Sequence, residues 1–518
     1  SAMSIGLALL FILFVYGISL VIYRLWFSPI SHIPGPKLAA ATGWYQAYYT
    51  VVHYGRWCFK VKELHEEYGP IVRINPWEIS IRDADFYPSV TSPTSARRIA
   101  AHLGAGFEGT GLAGGSVGFT ISHELHRDRR KPLEPFFSKK VVEERLESMV
   151  KDMAMQLKRR ILAKQGTGEL ITPDHMIVAL STDVAAKHVY GETFGLFEDE
   201  DFSPHWAETI STWIRYCPLA VTFPWAIRYV HLLTKCALDR MSDINSLLAT
   251  TPIPAFNPHS RKSDQFNSSS PPNMPIGKAL LLDPSIPHSD KLRDRMVSQL
   301  SAIVLAAAGP RLLASGMYYI LSTPRIESRL RAELSVLLTP YVEANCAPTS
   351  SAISKLPYLN ACMKESFRLE MGIVRQLPKS HVDDDLYYKG HAIPAGTAIN
   401  FWTFLQHYDE DVFPLPWTFR PERWLTLSQG GDISDDDAGQ RTLKRMEKHM
   451  IPFGRGGRSC LGRNLVHVVM YHLLAVFFGP DCPQLKLFDT DESDVRFERD
   501  CFAAFPKLDT KGVRCTVE

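Results

Sequence analysis

Phe453 to Gly462 reads FGRGGRSCLG, which puts four glycines, two arginines and one cysteine into ten residues. A cysteine thiolate is a strong, soft metal ligand, but it must be deprotonated and shielded. Gly454, Gly456, Gly457 and Gly462 permit tight or left-handed turns, so that peptide N–H groups can face the sulfur. Arg455 and Arg458 add positive potential. RNLVHVVMYHLLAVFF, Arg463 to Phe478, continues as a helix whose N-terminal dipole also favours an anion. The loop therefore predicts a metal-ligating thiolate at Cys460; the competing reading is a glycine-rich loop with an incidental cysteine. The other eight cysteines are scattered and no CxxC pair occurs. They read as small hydrophobes, not as a disulfide framework or a clustered zinc site.

Three further groups of residues could do chemistry or support it. In KESFR, Glu365 and Arg368 stand three apart on one helical face, where the bland alternative is a surface ion pair worth little. HELHRDRRKPLEPFFS, His123 to Ser138, sets His126 and Arg130 four apart, so both can donate to one carboxylate or simply carry solvated charge. LAAAGPRLLASG, Leu305 to Gly316, is the apolar centre of a long helical pattern. Its Pro310 has no amide to donate and should bend that helix. Arg311 reads equally well as a partner for an anionic group and as a solvent-facing charge.

The pattern Phe453-x-x-Gly456-x-Arg458-x-Cys460-x-Gly462 matches, at every specified position, the haem-ligand loop of the cytochrome P-450 family, and the chain resembles that family over nearly its whole length. The resemblance implies haem b as cofactor, with Cys460 as axial ligand of the iron, Phe453, Gly454 and Gly462 in the cofactor loop, and Arg458 paired with a haem propionate. It implies a buried triad of Glu365, Arg368 and Arg423, the last from FRPERW (Phe419 to Trp424), bracing the proximal side. It puts His126 where the family usually has tryptophan, with Arg130 four residues on, above a propionate. Lys379 in QLPKS takes a place where relatives often carry a propionate-binding arginine, and a lysine binds there as a point charge. The pattern looks most like membrane-bound fungal enzymes of secondary metabolism near the trichodiene oxygenase group.

One departure bears on chemistry. Oxygen-activating members usually carry an acid followed by threonine on the distal helix, as in Ala-Gly-x-Glu-Thr-Thr. Depending on register, Ala308 and Gly309 or Gly309 and Pro310 stand in that place here. Neither choice supplies a carboxylate or a hydroxyl. Ordered water or a substrate hydroxyl could relay the proton instead; alternatively the chain does not activate dioxygen by the usual route.

These residues need a scaffold, and the expected fold class is mainly α with small β-sheets, the P-450 fold preceded by one N-terminal transmembrane helix. Ile5 to Ile22 is eighteen residues without a charge, about enough to cross a bilayer of roughly 30 Å. Ser1 and Ala2 read as a cloning remnant, residues 3–24 as a signal anchor, 25–40 as a proline-rich hinge and 41–518 as the haem-binding catalytic domain. Arg24 and Lys37 after the apolar run put the body in the cytosol, at the endoplasmic reticulum membrane. IVRINPWEISIRD predicts a hairpin around Asn75-Pro76, after a short helix over Val61 to Glu67. Tyr387 to Asn400 predicts another hairpin, with its turn at Pro394-Ala395-Gly396. Lys139 to Lys164, Lys291 to Ser322 and Lys355 to Gly372 each predict one helix. Residues 250–287, rich in Pro, Ser and Asn, predict a surface connection.

The chain has 518 residues, 45% of them hydrophobic, and a net charge of +2. That balance gives no support for nucleic-acid binding. The first functional expectation is a haem-thiolate monooxygenase acting on a lipophilic secondary metabolite such as a terpenoid or polyketide. Its electrons would come from NADPH through a cytochrome reductase, drawn to a basic face formed by Arg441 to Met450, Arg455 and Arg463. A monomer is expected. Substrate contacts are expected around Gly104 to Phe119 and Trp206 to Trp225. The alternatives are a redox-neutral isomerase, dehydratase or cyclase on the same fold, and a non-catalytic haem protein.

Overall fold

The structure is a computed structural model, and it describes residues 2–91, 97–99, 115–223, 274–308, 311–344 and 346–518. A helix covers Ala2–Ile22 and runs into a π-helical turn at Tyr23–Phe27. With no charge as far as Ile22 the helix has no polar face, and none of its apolar residues is buried against the body. A helix of this length and composition is compatible with a membrane anchor.

The segment expected as a hinge is docked on the body instead. Ile30 and Ile33 are buried in one apolar cluster with strand residues Ile71, Ile79 and Ile399. The Arg73 amide donates to the Pro34 carbonyl at 2.7 Å, and the Arg73 guanidinium donates to the Arg24 carbonyl at 2.8 Å. Prolines stop the helix, but the isoleucines between them supply area that favours docking over free extension.

Ile71–Arg73 and Glu78–Ile81 form the expected hairpin, in the register Ile71 opposite Ile81. Asn75 makes the turn, its side-chain oxygen accepting from the Trp77 and Glu78 amides. The helix before it is longer than the pattern suggested, Trp57–Tyr68, and Gly69 closes it at a φ of 95°. The hairpin belongs to a five-stranded sheet that continues through Ala398–Asn400, Lys379–His381 and Arg97–Ile99.

The second expected hairpin needs correction. Leu386–Tyr388 pairs with His391–Ile393, so its turn is Lys389-Gly390, both residues at positive φ. Such a two-residue turn has the twist that antiparallel strands favour. Pro394 to Thr397 also turns, the Thr397 amide donating to the Pro394 carbonyl, but it leads into Ala398–Asn400 of the larger sheet.

The helices build the rest. The pattern over Lys139 to Lys164 is helical throughout but contains a π-helical turn, Val142–Leu146, ahead of Glu147–Ala163. Glu147–Ala163 packs on Arg463–Phe478, and both feed the largest apolar cluster. The single helix expected over Lys291 to Ser322 is recorded as two, Arg293–Ala308 and Leu312–Leu321. Pro357–Glu370 ends where Met371 and Gly372 turn to positive φ. Of the expected surface connection, residues 250–273 lie outside the described residues, whereas Ile276–Leu282 is a helix with Ile276 and Leu280 buried.

Candidate functional site

The cysteine loop closes on itself: the Cys460 amide donates to the Phe453 carbonyl at 2.8 Å, and the Gly454 amide to Ile451 at 3.0 Å. Gly454 and Gly456 sit at φ of 63° and 72°. A Cβ on Gly456 would stand 2.2 Å from the Thr91 carbonyl oxygen, and one on Gly454 would stand 3.0 Å from Gln376 Oε1. Gly456 therefore needs glycine for conformation and for close approach, and Gly454 for conformation. Phe453 packs edge-on to Phe367, centroids 5.1 Å apart, which joins the loop to Pro357–Glu370. Gly462 caps Arg463–Phe478, with its missing Cβ 3.9 Å from the cysteine sulfur.

Cys460 keeps access to solvent, yet enough protein surrounds the sulfur that burial pushes its thiol up. The Gly462 and Arg463 amides and the charges of Arg130 and Arg463 pull the other way without prevailing. That shift belongs to the free thiol, whereas the expected state of Cys460 is a metal-bound thiolate. Desolvation outweighs a handful of dipoles and partly screened charges, and a metal cation on the sulfur would supply the rest.

Beside the sulfur two arginines cross-link the loop to His123–Arg130. Arg130 donates to the Ser459 carbonyl at 2.7 Å and to Glu134 at 2.8 Å. Arg458 donates to the carbonyls of Thr120, Ile121 and Ser122 at 2.8, 3.1 and 3.3 Å. Among the described residues Arg458 has no carboxylate partner. Burial, reinforced by Arg130, lowers the Arg458 guanidinium to about 10. His126 is buried, and burial first, then Arg458 and Arg130, lowers it to about 3, so its imidazole is neutral. The buried His126 and the half-buried Arg458, which lacks a carboxylate partner among the described residues, fit the acidic edge of a porphyrin. Lys379 enters from the five-stranded sheet, with its amino group 5.2 Å from the Tyr87 ring centre. Tyr87–Thr91 in turn backs Gly456.

Glu365, Arg368 and Arg423 come together as the triad pattern implied. Arg368 meets both Glu365 oxygens, at 2.7 and 3.0 Å, and Arg423 Nε donates to Oε1 at 3.0 Å. Glu365 and Arg368 are wholly shielded from solvent. Burial opposes the Glu365 charge, but the two arginines prevail and hold its carboxyl below the usual range.

Two members of this network escaped the sequence reading. Trp424 Nε1 donates to Glu365 Oε2 at 2.8 Å; it adjoins Arg423 in FRPERW. His407 faces the Arg368 carbonyl through Nδ1 at 3.0 Å and accepts from the Ile451 amide at Nε2, 2.9 Å away. Burial lowers His407 to about 3, so a neutral ring carries its proton on Nδ1 and couples the triad to the root of the cysteine loop. Nothing in the spacing of a lone histidine signals this.

On the opposite side the sequence-derived positions are less fully described. Ala308 ends its helix, and Gly309 and Pro310 lie outside the described residues. Arg311, left open between anion and solvent, donates to Asp174 Oδ1 at 3.0 Å. Of the expected substrate segments, 104–114 and 224–225 lie outside the described residues. Val117–Phe119 is a short turn, and its Val117 amide donates to Gln299 of Arg293–Ala308 at 2.8 Å.

A family model described as Cytochrome P450 matches residues 44–478. The chain belongs to the cytochrome P450 family. This P450 is 34% identical to the cytochrome P450 monooxygenase oblB of Cochliobolus heterostrophus, over 99% of this chain and 96% of the relative. It is 34% identical to the fusicoccadiene C-8 hydroxylase of Alternaria brassicicola, over 99% and 95% of the two chains. It is 32% identical to the tryptophan 6-hydroxylase fscE of Fusarium equiseti, over 96% and 94%. Membership implies haem, and these fungal relatives are monooxygenases and hydroxylases. This P450 is accordingly an oxidoreductase of the monooxygenase type.

Proposed function

We propose that this P450 is a membrane-anchored haem-thiolate monooxygenase of fungal secondary metabolism that hydroxylates a lipophilic, terpenoid-like molecule. The observation that carries the reading is the closed cysteine loop beside a carboxylate-free arginine, Arg458, and a neutral buried imidazole, His126. Cys460 holds the iron. Arg458, His126, Arg130 and Lys379 would hold the propionates, while Phe453, Gly454 and Gly462 shape the loop around the sulfur. The bound haem supplies the oxidising chemistry. Glu365, Arg368 and Arg423 hold the proximal wall through His407 and Ile451, so the sulfur keeps one position.

Electrons come from NADPH through a reductase that meets the exposed cations Arg441, Lys444, Arg445 and Arg463 around the loop. Ala2–Ile22 anchors the protein in the endoplasmic reticulum membrane with its body in the cytosol. Ala308, Gly309 and Pro310 offer no side-chain proton donor, so water or the substrate itself delivers protons on the distal side.

The test is a set of turnovers under labelled dioxygen with and without NADPH and reductase, together with the carbon monoxide spectrum of the reduced protein. Label in the product, reductase dependence and a thiolate-type band absent from Cys460→Ser are expected. Product formed without reductase would move the protein to redox-neutral chemistry, and an unaltered band in Cys460→Ser would remove the sulfur from the iron.

A further inference from the structure

A cavity of about 400 Å³ lies between the residues that follow the N-terminal helix, the end of Pro204–Thr222 and the loop at Phe502. Trp44, Trp57, Trp77, Val221, Leu377 and Phe502 give it mostly apolar walls. The cavity lining is joined to the cysteine loop through one intervening residue, Gln376. Arg375 and Leu377 line the cavity, while Gln376 between them meets Gly454, the alternation of an extended segment. The Val374 amide donates to the Phe502 carbonyl at 3.1 Å, and Phe502 lies 6.4 Å from Phe119 between ring centres. Phe502 thus touches the cavity on one side and, through the Phe119 turn, Arg293–Ala308 on the other.

Three charged side chains, Arg24, Arg375 and Asp500, interrupt the apolar lining. Arg24 donates to the Ala41 carbonyl at 2.9 Å. Arg375 Nη1 is shielded from solvent and has no hydrogen-bond partner. The carboxylate it pairs with, Glu78, is 3.9 Å away and already accepts from Asn75 and Asn400. Asp500 uses one oxygen to accept the Phe502 amide at 3.0 Å. Among the described residues Arg375 and Asp500 form no direct ion pair, although each feels the other's charge. A buried guanidinium nitrogen without a partner is costly to keep. Arg375 and Asp500 both line this cavity and do not close on each other.

We infer that Arg375 and Asp500 form a hydroxyl-recognition site for the substrate, with Arg375 donating to the alcohol oxygen and Asp500 accepting the alcohol proton. The inference rests on the proposed monooxygenase reading and narrows its substrate to a neutral, lipophilic molecule that is already oxygenated. A hydrocarbon would offer neither group a hydrogen bond. A carboxylate would bring a third negative charge to a guanidinium that already faces Glu78 and Asp500. Burial raises the Asp500 carboxyl to about 6 against the pull of Arg375, so it remains largely ionised at neutral pH and able to accept. The reaction before this one must therefore install an oxygen, either by an earlier hydroxylation or by a cyclisation that ends in water capture.

The test uses the full-length holoenzyme in detergent and three radiolabelled probes on one skeleton: abietadiene, abietadienol and abietic acid. Equilibrium dialysis gives the ratio of hydrocarbon to alcohol Kd, in which detergent partitioning cancels when proteins are compared. The wild type should show a ratio about tenfold above those of Arg375→Met and Asp500→Asn, as expected for a hydrogen bond to charged groups. The near-isosteric Asp500→Asn guards against a folding defect in the larger change. Equal ratios in all three proteins overturn the hydroxyl site. So does abietic acid gaining the Arg375-dependent advantage, which would make the site an anion receptor. Reduced carbon monoxide spectra are recorded alongside: a missing thiolate band in the wild type counts against the monooxygenase reading, while the dialysis ratios still decide the cavity.

Discussion

The two sides of the cysteine loop follow opposite electrostatic rules. On the proximal side the charges of the triad are answered: Glu365 receives Arg368, Arg423 and Trp424, and Arg368 also donates to the carbonyls of His407, Pro416 and Thr418. On the other side charges are left short of partners, as at Arg375 Nη1, or are held uncharged by burial, as at Glu370, which is raised to about 8. A fully paired network fixes one geometry. A partly paired one leaves capacity for something that arrives later.

The largest test of that contrast is Glu365→Ala. It strands two buried guanidinium groups beside each other, at a cost of roughly 3–5 kcal/mol, and should leave almost no soluble, haem-loaded protein when expression and haem content are measured. Arg368→Met combined with Glu365→Leu removes both charges and should recover part of the loss. Equal failure of the double variant would mean that shape, not charge balance, rules the proximal side.

A smaller effect is expected one link further out. His407→Leu leaves the Ile451 amide without its acceptor, at about 1–3 kcal/mol for an unsatisfied buried donor. Urea unfolding of the holoenzyme should show that loss together with faster haem release to apomyoglobin. His407→Gln, which keeps an acceptor, should restore part of both. Reduced stability with unchanged haem release would show that His407 supports the fold without steadying the loop.

The same contrast explains what could be read from the chain in advance. Glu365 and Arg368 are one helical turn apart, and Arg423 sits in a short dense motif, so local spacing carried the triad. The glycine-rich stretch carried the position of Cys460 but not the burial of its sulfur, which depends on packing from remote segments. His407 and Ile451 are joined only by the fold, as are Arg311 with Asp174 and Arg375 with Asp500, and no periodicity links such pairs. The Lys389-Gly390 turn was missed because it lacks the asparagine or aspartate that marks two-residue hairpins, while Pro394 and Gly396 nearby give a stronger local signal for a turn that joins two sheets.

A third effect varies with pH and concerns Glu370, which is buried at the end of Pro357–Glu370 beside Ser315 and Arg311. Burial raises it most, Asp174 adds to the rise, and Arg311 and Ser315 oppose it. A carboxyl whose folded value lies near 8 binds a proton in the folded state that the unfolded chain, near 4.5, has released. Its contribution to stability is therefore fully present below about pH 4.5 and is lost as pH rises through 8. Glu370→Gln keeps the shape and removes the titration. Circular dichroism melts should give nearly equal apparent Tm for the two proteins at pH 5, and an advantage of a few degrees for the variant, on the order expected for roughly 4 kcal/mol in a chain of this length, by pH 8.5. Parallel curves across that range would mean that Arg311 holds Glu370 ionised throughout. The distal side would then be as fully paired at this point as the proximal one, and the contrast would narrow to Arg375 and Asp500.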